Sequence, residues 1–159
     1  MNYDEYMTDV YRGTWPETPI VPLPNCFKDD RGIIQNLTLL PITSTAIITS
    51  MVNSVRANHY HLSDFHFTYL VSGRILYFER EVDSSVVPDP LVINAGTLFF
   101  TPPMREHIMY FLQSSVMITM AKNIRSHTQH EADLVRVKFW ESINQFEYYD
   151  EGIKLTIIK

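Results

Sequence analysis

Four of the six histidines fall in two tight contexts: Asn58-His59-Tyr60-His61 with His66 shortly after, and Pro102-Pro103-Met104-Arg105-Glu106-His107. Side chains on an extended strand alternate between faces, so His59 and His61 point the same way with both imidazoles in reach of one ion. His66 lies five residues beyond His61, an offset that sends it to the opposite face of a straight strand. Leu62-Ser63-Asp64 reads as a bend, and a bend resets the alternation so that His66 faces inward from the next strand. His107 follows two prolines, which end one strand and set up the next. Converging imidazoles suit zinc, nickel or iron, whereas magnesium and calcium prefer oxygen ligands. Histidine also titrates near neutrality, so His59 or His61 can instead serve as a metal-free catalytic base, with Tyr110 or Tyr69 as the acid. A metal on both histidines removes the lone pairs a base needs, and the two roles exclude each other. His127 and His130, in the polar stretch from Arg125 to Glu131, read as surface or hydrogen-bonded residues.

The elements that must position these rings are short strands. Segments rich in Val, Ile, Thr, Phe and Tyr recur at close spacing, broken by Gly, Pro, Asn and Asp, and give about nine strands between Ile33 and Phe139. Ser72-Gly73, between two such runs, has the length of a tight hairpin turn, and Ala95-Gly96 is turn-like. The pattern predicts an all-β sandwich or small barrel. Residues 1–26 hold four of the nine prolines and read as an extended arm, residues 27–140 as the single barrel domain, and residues 141–159 as an aromatic and acidic extension forming a short helix or a surface loop.

Composition sets the outer limits. The 159 residues suit one domain. A net charge of -5 argues against nucleic-acid binding, and 45% hydrophobic residues are enough to bury a core. Cys26 is the single cysteine, which excludes an internal disulfide and a Cys-rich zinc site and fits a reducing, cytoplasmic setting. Met1 to Thr14 lacks the basic-then-apolar pattern of a signal peptide, and no apolar run approaches the roughly 20 residues of a membrane span.

Together the two histidine segments carry a resemblance. His59-x-His61, four residues, His66, six residues and Gly73 resembles the first motif of the cupin superfamily, with His66 where the family has glutamate. Gly96, five residues, Pro102, four residues and His107 is similar to the second motif, with Met104 where glycine is usual and Phe111 where asparagine is frequent. Lys28-Asp29-Asp30-Arg31-Gly32-Ile33 and Arg56-Ala57-Asn58-His59-Tyr60-His61 narrow the likeness to RmlC-like cupins of nucleotide-sugar and polysaccharide biosynthesis. These are 3,4-ketoisomerases, 3,5-epimerases and the carboxy-terminal cupin of capsule-synthesis reductases. The tail from Arg125 to Val137, with Glu131-Ala132-Asp133-Leu134-Val135-Arg136, looks like the end of such proteins.

The resemblance implies a double-stranded β-helix, the cupin jelly-roll barrel. It also implies one transition metal on His59, His61, His66 and His107, or a histidine base without metal. Nucleotide sugars are anionic, and an acidic chain needs local cations to hold them. Arg56 precedes His59 by three residues and Arg105 precedes His107 by two, which places both guanidinium groups where the motifs enter the rim, able to grip phosphate in a two-point fork. Lys28 and Arg31 are further cations; Tyr69, Tyr77, Phe99 and Tyr110 line either a ligand mouth or the core. The expectation is a metal-binding cupin that binds or isomerises an anionic carbohydrate, with Arg56, Arg105 and Tyr69 on the ligand. A metal-dependent oxygenase or isomerase on another small molecule and a non-catalytic ligand-binding cupin stay open. A homodimer, formed through the arm or an open strand edge, is expected as well.

Overall fold

The computed structural model describes Met1–Lys159. The chain opens with helix α1 (Tyr3–Arg12) and hairpin strands β1 (Phe27–Asp29) and β2 (Gly32–Ile34), then β3 (Ser44–Ser50), β4 (Val55–His61), β5 (His66–Ser72) and β6 (Arg74–Glu81). It continues through β7 (Leu91–Asn94), β8 (Leu98–Thr101), β9 (Arg105–Phe111), β10 (Ser115–Ala121), α2 (His127–Asp133) and β11 (Leu134–Arg136). The short α3 (Phe139–Ser142) and the hairpin β12 (Gln145–Asp150) with β13 (Ile153–Ile158) complete it. Two antiparallel sheets form the barrel, ordered β3-β10-β5-β8 and β11-β4-β9-β6-β7. No helix is long and apolar enough to cross a membrane.

Strand alternation divides the apolar residues into three clusters. Leu70, Ile75, Tyr77, Ile93, Phe99, Met109, Phe111 and Met117 fill the space between the sheets. On the outer face of the four-stranded sheet, Phe67, Leu98, Phe100 and Met120 pack against Tyr3, Tyr6, Met7 and Val10 of α1. On the outer face of the five-stranded sheet, Leu76, Phe78 and Ile108 pack against Phe139, Ile143 and Phe146. The terminal segments therefore close the faces that strand alternation leaves apolar.

The amino-terminal segment is only in part the extended arm that its prolines suggest: residues 3–12 form a helix, whereas the proline-bearing stretch runs along β8, where Ile20 bridges Phe99 and Val21 N–H donates to the Leu98 carbonyl. Its prolines, Pro16 to Pro24, all follow the helix. Asn2 and Glu5 form a reciprocal capping box, Gly13 ends the helix at φ 77°, and the buried residues recur at helical spacing. The carboxy-terminal extension likewise holds only the end of a four-residue helix and is mostly a β-hairpin.

Ser72-Gly73 does not make a hairpin either. β5 lies in the four-stranded sheet and β6 in the five-stranded one, so the turn is a corner where the chain crosses between sheets. Gly73 sits at φ 92°, and a Cβ there would lie 2.1 Å from Ser115 Oγ, so both backbone conformation and space require glycine.

Candidate functional site

β4 carries the feature that builds the site. Arg56 pairs with Met109 and Ala57 with Ile108, after which the register slips so that His59 pairs with His107. Ala57 and Asn58 both adopt the left-handed region, at φ 68° and 61°, a bulge that adds one residue to β4. An unbroken ladder would have set His59 opposite Glu106, whose carboxylate binds Arg80. The extra residue turns His59 and His61 inward, and Asn58 ties the outside down by accepting from Trp140 N and donating to Glu141.

His66 enters from β5 after the bend at Leu62-Ser63-Asp64, which resets the alternation as expected, and all four rings meet. His59 lies 4.9 Å from His61 and 4.7 Å from His107, and His66 lies 5.5 Å from His61 and 5.6 Å from His107 (centroid distances). Burial pushes the histidines down, with neighbouring rings and Arg125 adding to it: to about 2 at His59 and about 3 at His107, and well below its ordinary value at His66. The rings are neutral.

Hydrogen bonds fix three tautomers. His61 Nδ1–H donates to Asp133 Oδ2 (3.1 Å) and His107 Nδ1–H to the Arg105 carbonyl (3.1 Å), which leaves a lone pair on each Nε2. His66 differs, because its Nδ1 receives a hydrogen bond from Arg125 Nη2 at 3.1 Å. Arg125 is held by Asp64, itself buried, through Nε (3.0 Å). Burial pushes Asp133 upward, but the Ser63 hydroxyl and the Ser63 and Asp64 amides, together with His61, more than offset that and keep it ionised.

One ligand nitrogen from each of His59, His61 and His107 lies within 4.8 Å of the other two. Three neutral imidazoles at that spacing fit a transition ion, and an ion held there would polarise a carbonyl or acidify a bound water. His66, expected as a fourth ligand, is outside that set.

A chain of polar groups runs from the apolar floor to the rim. Tyr77 OH lies 2.9 Å from Thr101 Oγ1 and donates to Glu79 Oε2 at 2.8 Å. Glu79 Oε1 pairs with Arg105 Nε at 3.2 Å, and Arg105 also pairs with the exposed Glu81. Glu79 is the cross-strand partner of His107 and Glu81 of Arg105, so this chain climbs the same inner face as the histidines. Burial raises the Glu79 carboxyl, against the pull of Tyr77 and Arg105.

No protein-family model matches the chain, and no curated protein does. Solved structures do. The sugar 3,4-ketoisomerase QdtA from Thermoanaerobacterium thermosaccharolyticum, in complex with TDP, superposes with a TM-score of 0.59 at 15% identity, covering 74% of this chain and 89% of that one. The dTDP-4-dehydrorhamnose 3,5-epimerase from Sulfolobus tokodaii gives 0.60 at 15%, covering 84% and 88%. The capsular polysaccharide assembling protein CapF from Staphylococcus aureus gives 0.54 at 19%, covering 73% of this chain and 32% of that one. The chain has an RmlC-like cupin fold.

Within that cupin barrel several expected residues stand elsewhere. Tyr110 faces outward, stacked on Trp140 with its hydroxyl on Asn53, and Tyr69 packs toward the α1 side of its sheet. Neither is placed to return a proton at the histidines, and Tyr69 does not line their cavity. Arg56 donates to Ser50 Oγ (2.6 Å) and to the Thr49 carbonyl (2.8 Å) in a cleft of about 530 Å³ between β3 and β4 that no histidine lines. Of the two arginines expected on the ligand, Arg105 alone lies beside the histidines; Arg56 sits opposite Met109, at the other end of β4.

Lys28 and Arg31 belong to the β1–β2 hairpin, where Arg31 pairs with Asp29. Three residues of the site lacked a direct signal: Arg125 and Asp133, which lie in the tail segment the resemblance includes, and His130, whose ring approaches His61 to 5.6 Å.

Proposed function

We propose that this cupin isomerises or epimerises a nucleotide-linked keto sugar, with His61 as the base. The observation that carries the reading is the His61–Asp133 pair: a buried imidazole whose Nδ1–H is held by an ionised carboxylate and whose Nε2 keeps its lone pair. A carbonyl acidifies the neighbouring C–H. Nε2 takes that proton, Asp133 stabilises the resulting imidazolium, and an enediolate remains. Returning the proton to the former carbonyl carbon, with the adjacent hydroxyl's proton passing to the former carbonyl oxygen, completes isomerisation; protonation of the original carbon from the other face gives an epimer. Arg105, at the rim above His107, is the phosphate-binding cation. QdtA structures in complex with TDP and, for a histidine-to-asparagine variant, with TDP-4-keto-6-deoxyglucose support this substrate class.

The test is proton exchange. TDP-4-keto-6-deoxyglucose incubated with the protein in deuterium oxide is expected to gain deuterium beside the carbonyl by NMR, and His61→Asn is expected to slow this by about 10²–10⁴-fold. Absence of both exchange and TDP binding by calorimetry overturns the reading.

The three-histidine set supports a second reading, a metal-binding cupin with zinc, nickel or iron on His59, His61 and His107. Stoichiometric metal in protein purified without a histidine tag, together with loss of turnover on chelation, favours that reading; turnover unchanged by a chelator favours the free base. We further propose a homodimer, for which the unpaired edge of β3 and exposed Ile47, Met51, Phe27, Ile33 and Ile34 supply an apolar surface. A monomer by light scattering at micromolar concentration overturns it.

A further inference from the structure

We propose that His66 is a fixed neutral N–H donor, its Nε2–H directed at the ligand oxygen inside the barrel, and that Arg125 excludes it from any metal set. Arginine has five donors, no acceptor, and stays protonated. The 3.1 Å contact between Arg125 Nη2 and His66 Nδ1 therefore has one polarity, with Nδ1 accepting. A neutral ring with a bare Nδ1 carries its proton on Nε2. To ligate through Nε2 the ring would have to move that proton to Nδ1, where it would point at a guanidinium N–H.

The surroundings resist this change. Arg125 is anchored by Asp64, whose Oδ2 accepts from Nε at 3.0 Å and whose Oδ1 accepts from Asn123 N at 2.9 Å. The guanidinium also adds a positive charge beside the cavity, which disfavours a cation on that side and favours a developing anion. His66 is thus the counterpart of His61 across the 5.5 Å between their rings. His61 offers a lone pair on Nε2 and His66 offers a proton there. The spacing suits a base taking a proton from carbon while a donor holds the oxygen that becomes the enolate.

The identity of that oxygen rests on the nucleotide-sugar reading; the tautomer and the ligand count do not. Long-range proton–nitrogen NMR correlation of the imidazoles in metal-free protein is expected to show Nε2–H at His66 and Nδ1–H at His61 and His107. On zinc titration, three rings are expected to shift while His66 keeps its Nε2–H. An Nδ1–H tautomer at His66, or a fourth coordinated ring, overturns the proposal.

In the exchange assay His66→Leu is expected to lower kcat by about 10²–10³-fold with little change in KM. His66→Gln, which can accept from Arg125 and still donate inward, is expected to stay within about tenfold of wild type. Equal rates for His66→Leu and wild type overturn the donor role. Failure of the wild type to exchange any proton removes the nucleotide-sugar reading instead, and the tautomer and three-ligand set are then decided by the NMR result.

Discussion

Two layers of one barrel, sharing strands β5 and β9, have opposite chemistry. β5, β6 and β9 give the lower layer Leu70, Ile75, Tyr77, Met109 and Phe111, while β4, β5 and β9 give the upper layer His59, His61, His66 and His107. The lower layer is held by apolar burial and dispersion, which need no particular partner. In the upper layer each ring must be kept neutral, and three of the four need a specific hydrogen bond to fix their tautomer. Packing makes the lower layer tolerant of chemistry and sensitive to volume; the upper layer is the reverse.

The largest expected effect that tests this contrast is Phe111→Ala, which should cost about 3–5 kcal/mol in urea unfolding while leaving the pH dependence of stability unchanged. Acid should act on the other layer. Because His59 and His107 are pushed down to about 2 and about 3, the unfolded chain binds protons that the folded one does not once the pH falls below about 6.5. Stability of the metal-free protein is therefore full above that pH and falls below it, with each fully buried ring contributing about 1.4 kcal/mol per pH unit. His107→Gln should flatten the slope; an unchanged slope would mean that the upper layer is not held neutral.

The arginines sharpen the contrast on a smaller scale. Arg105→Gln is expected to weaken TDP binding about tenfold by calorimetry, whereas Arg56→Ala should leave affinity alone and lower stability by about 1 kcal/mol through its lost bonds to β3. A loss of TDP affinity in the Arg56 variant would move the anion site to the β3–β4 cleft. The smallest effect belongs to Met104, which holds φ 57° where the cupin motif usually has glycine. Met104→Gly should raise the unfolding free energy slightly, by about 0.5 kcal/mol in urea unfolding, since relief of a left-handed side chain is partly offset by the entropy of glycine in the unfolded chain.

The histidine layer was legible in the sequence because strand parity and two motif spacings agreed on it. Parity also held the correction for the tyrosines. Tyr69 is three residues from His66 and Tyr110 three from His107, odd offsets that put both on the outside once the histidines are inside. Tyr77 and Phe99 lie on strands without a histidine to count from, and are buried between the sheets. Arg125 and Asp133 were not legible as site residues. They reach His66 and His61 across 59 and 72 positions of sequence, and nothing local marks a surface-like Arg or Asp as the partner of a distant ring. The helix at the amino terminus was legible from its capping box and periodicity, but prolines that follow it set the reading of the whole segment.

The bulge at Ala57-Asn58 makes the site depend on a count as well as on residue identity. Deleting one residue there would keep every histidine in the chain, yet His59 would return to the position opposite Glu106 and His61 would turn outward with it. A substitution at one histidine removes one ring, whereas that single gap removes two without altering either. When related chains are aligned, the spacing from Arg56 to His59 is therefore a criterion for a working site in its own right, independent of whether the histidines themselves are present.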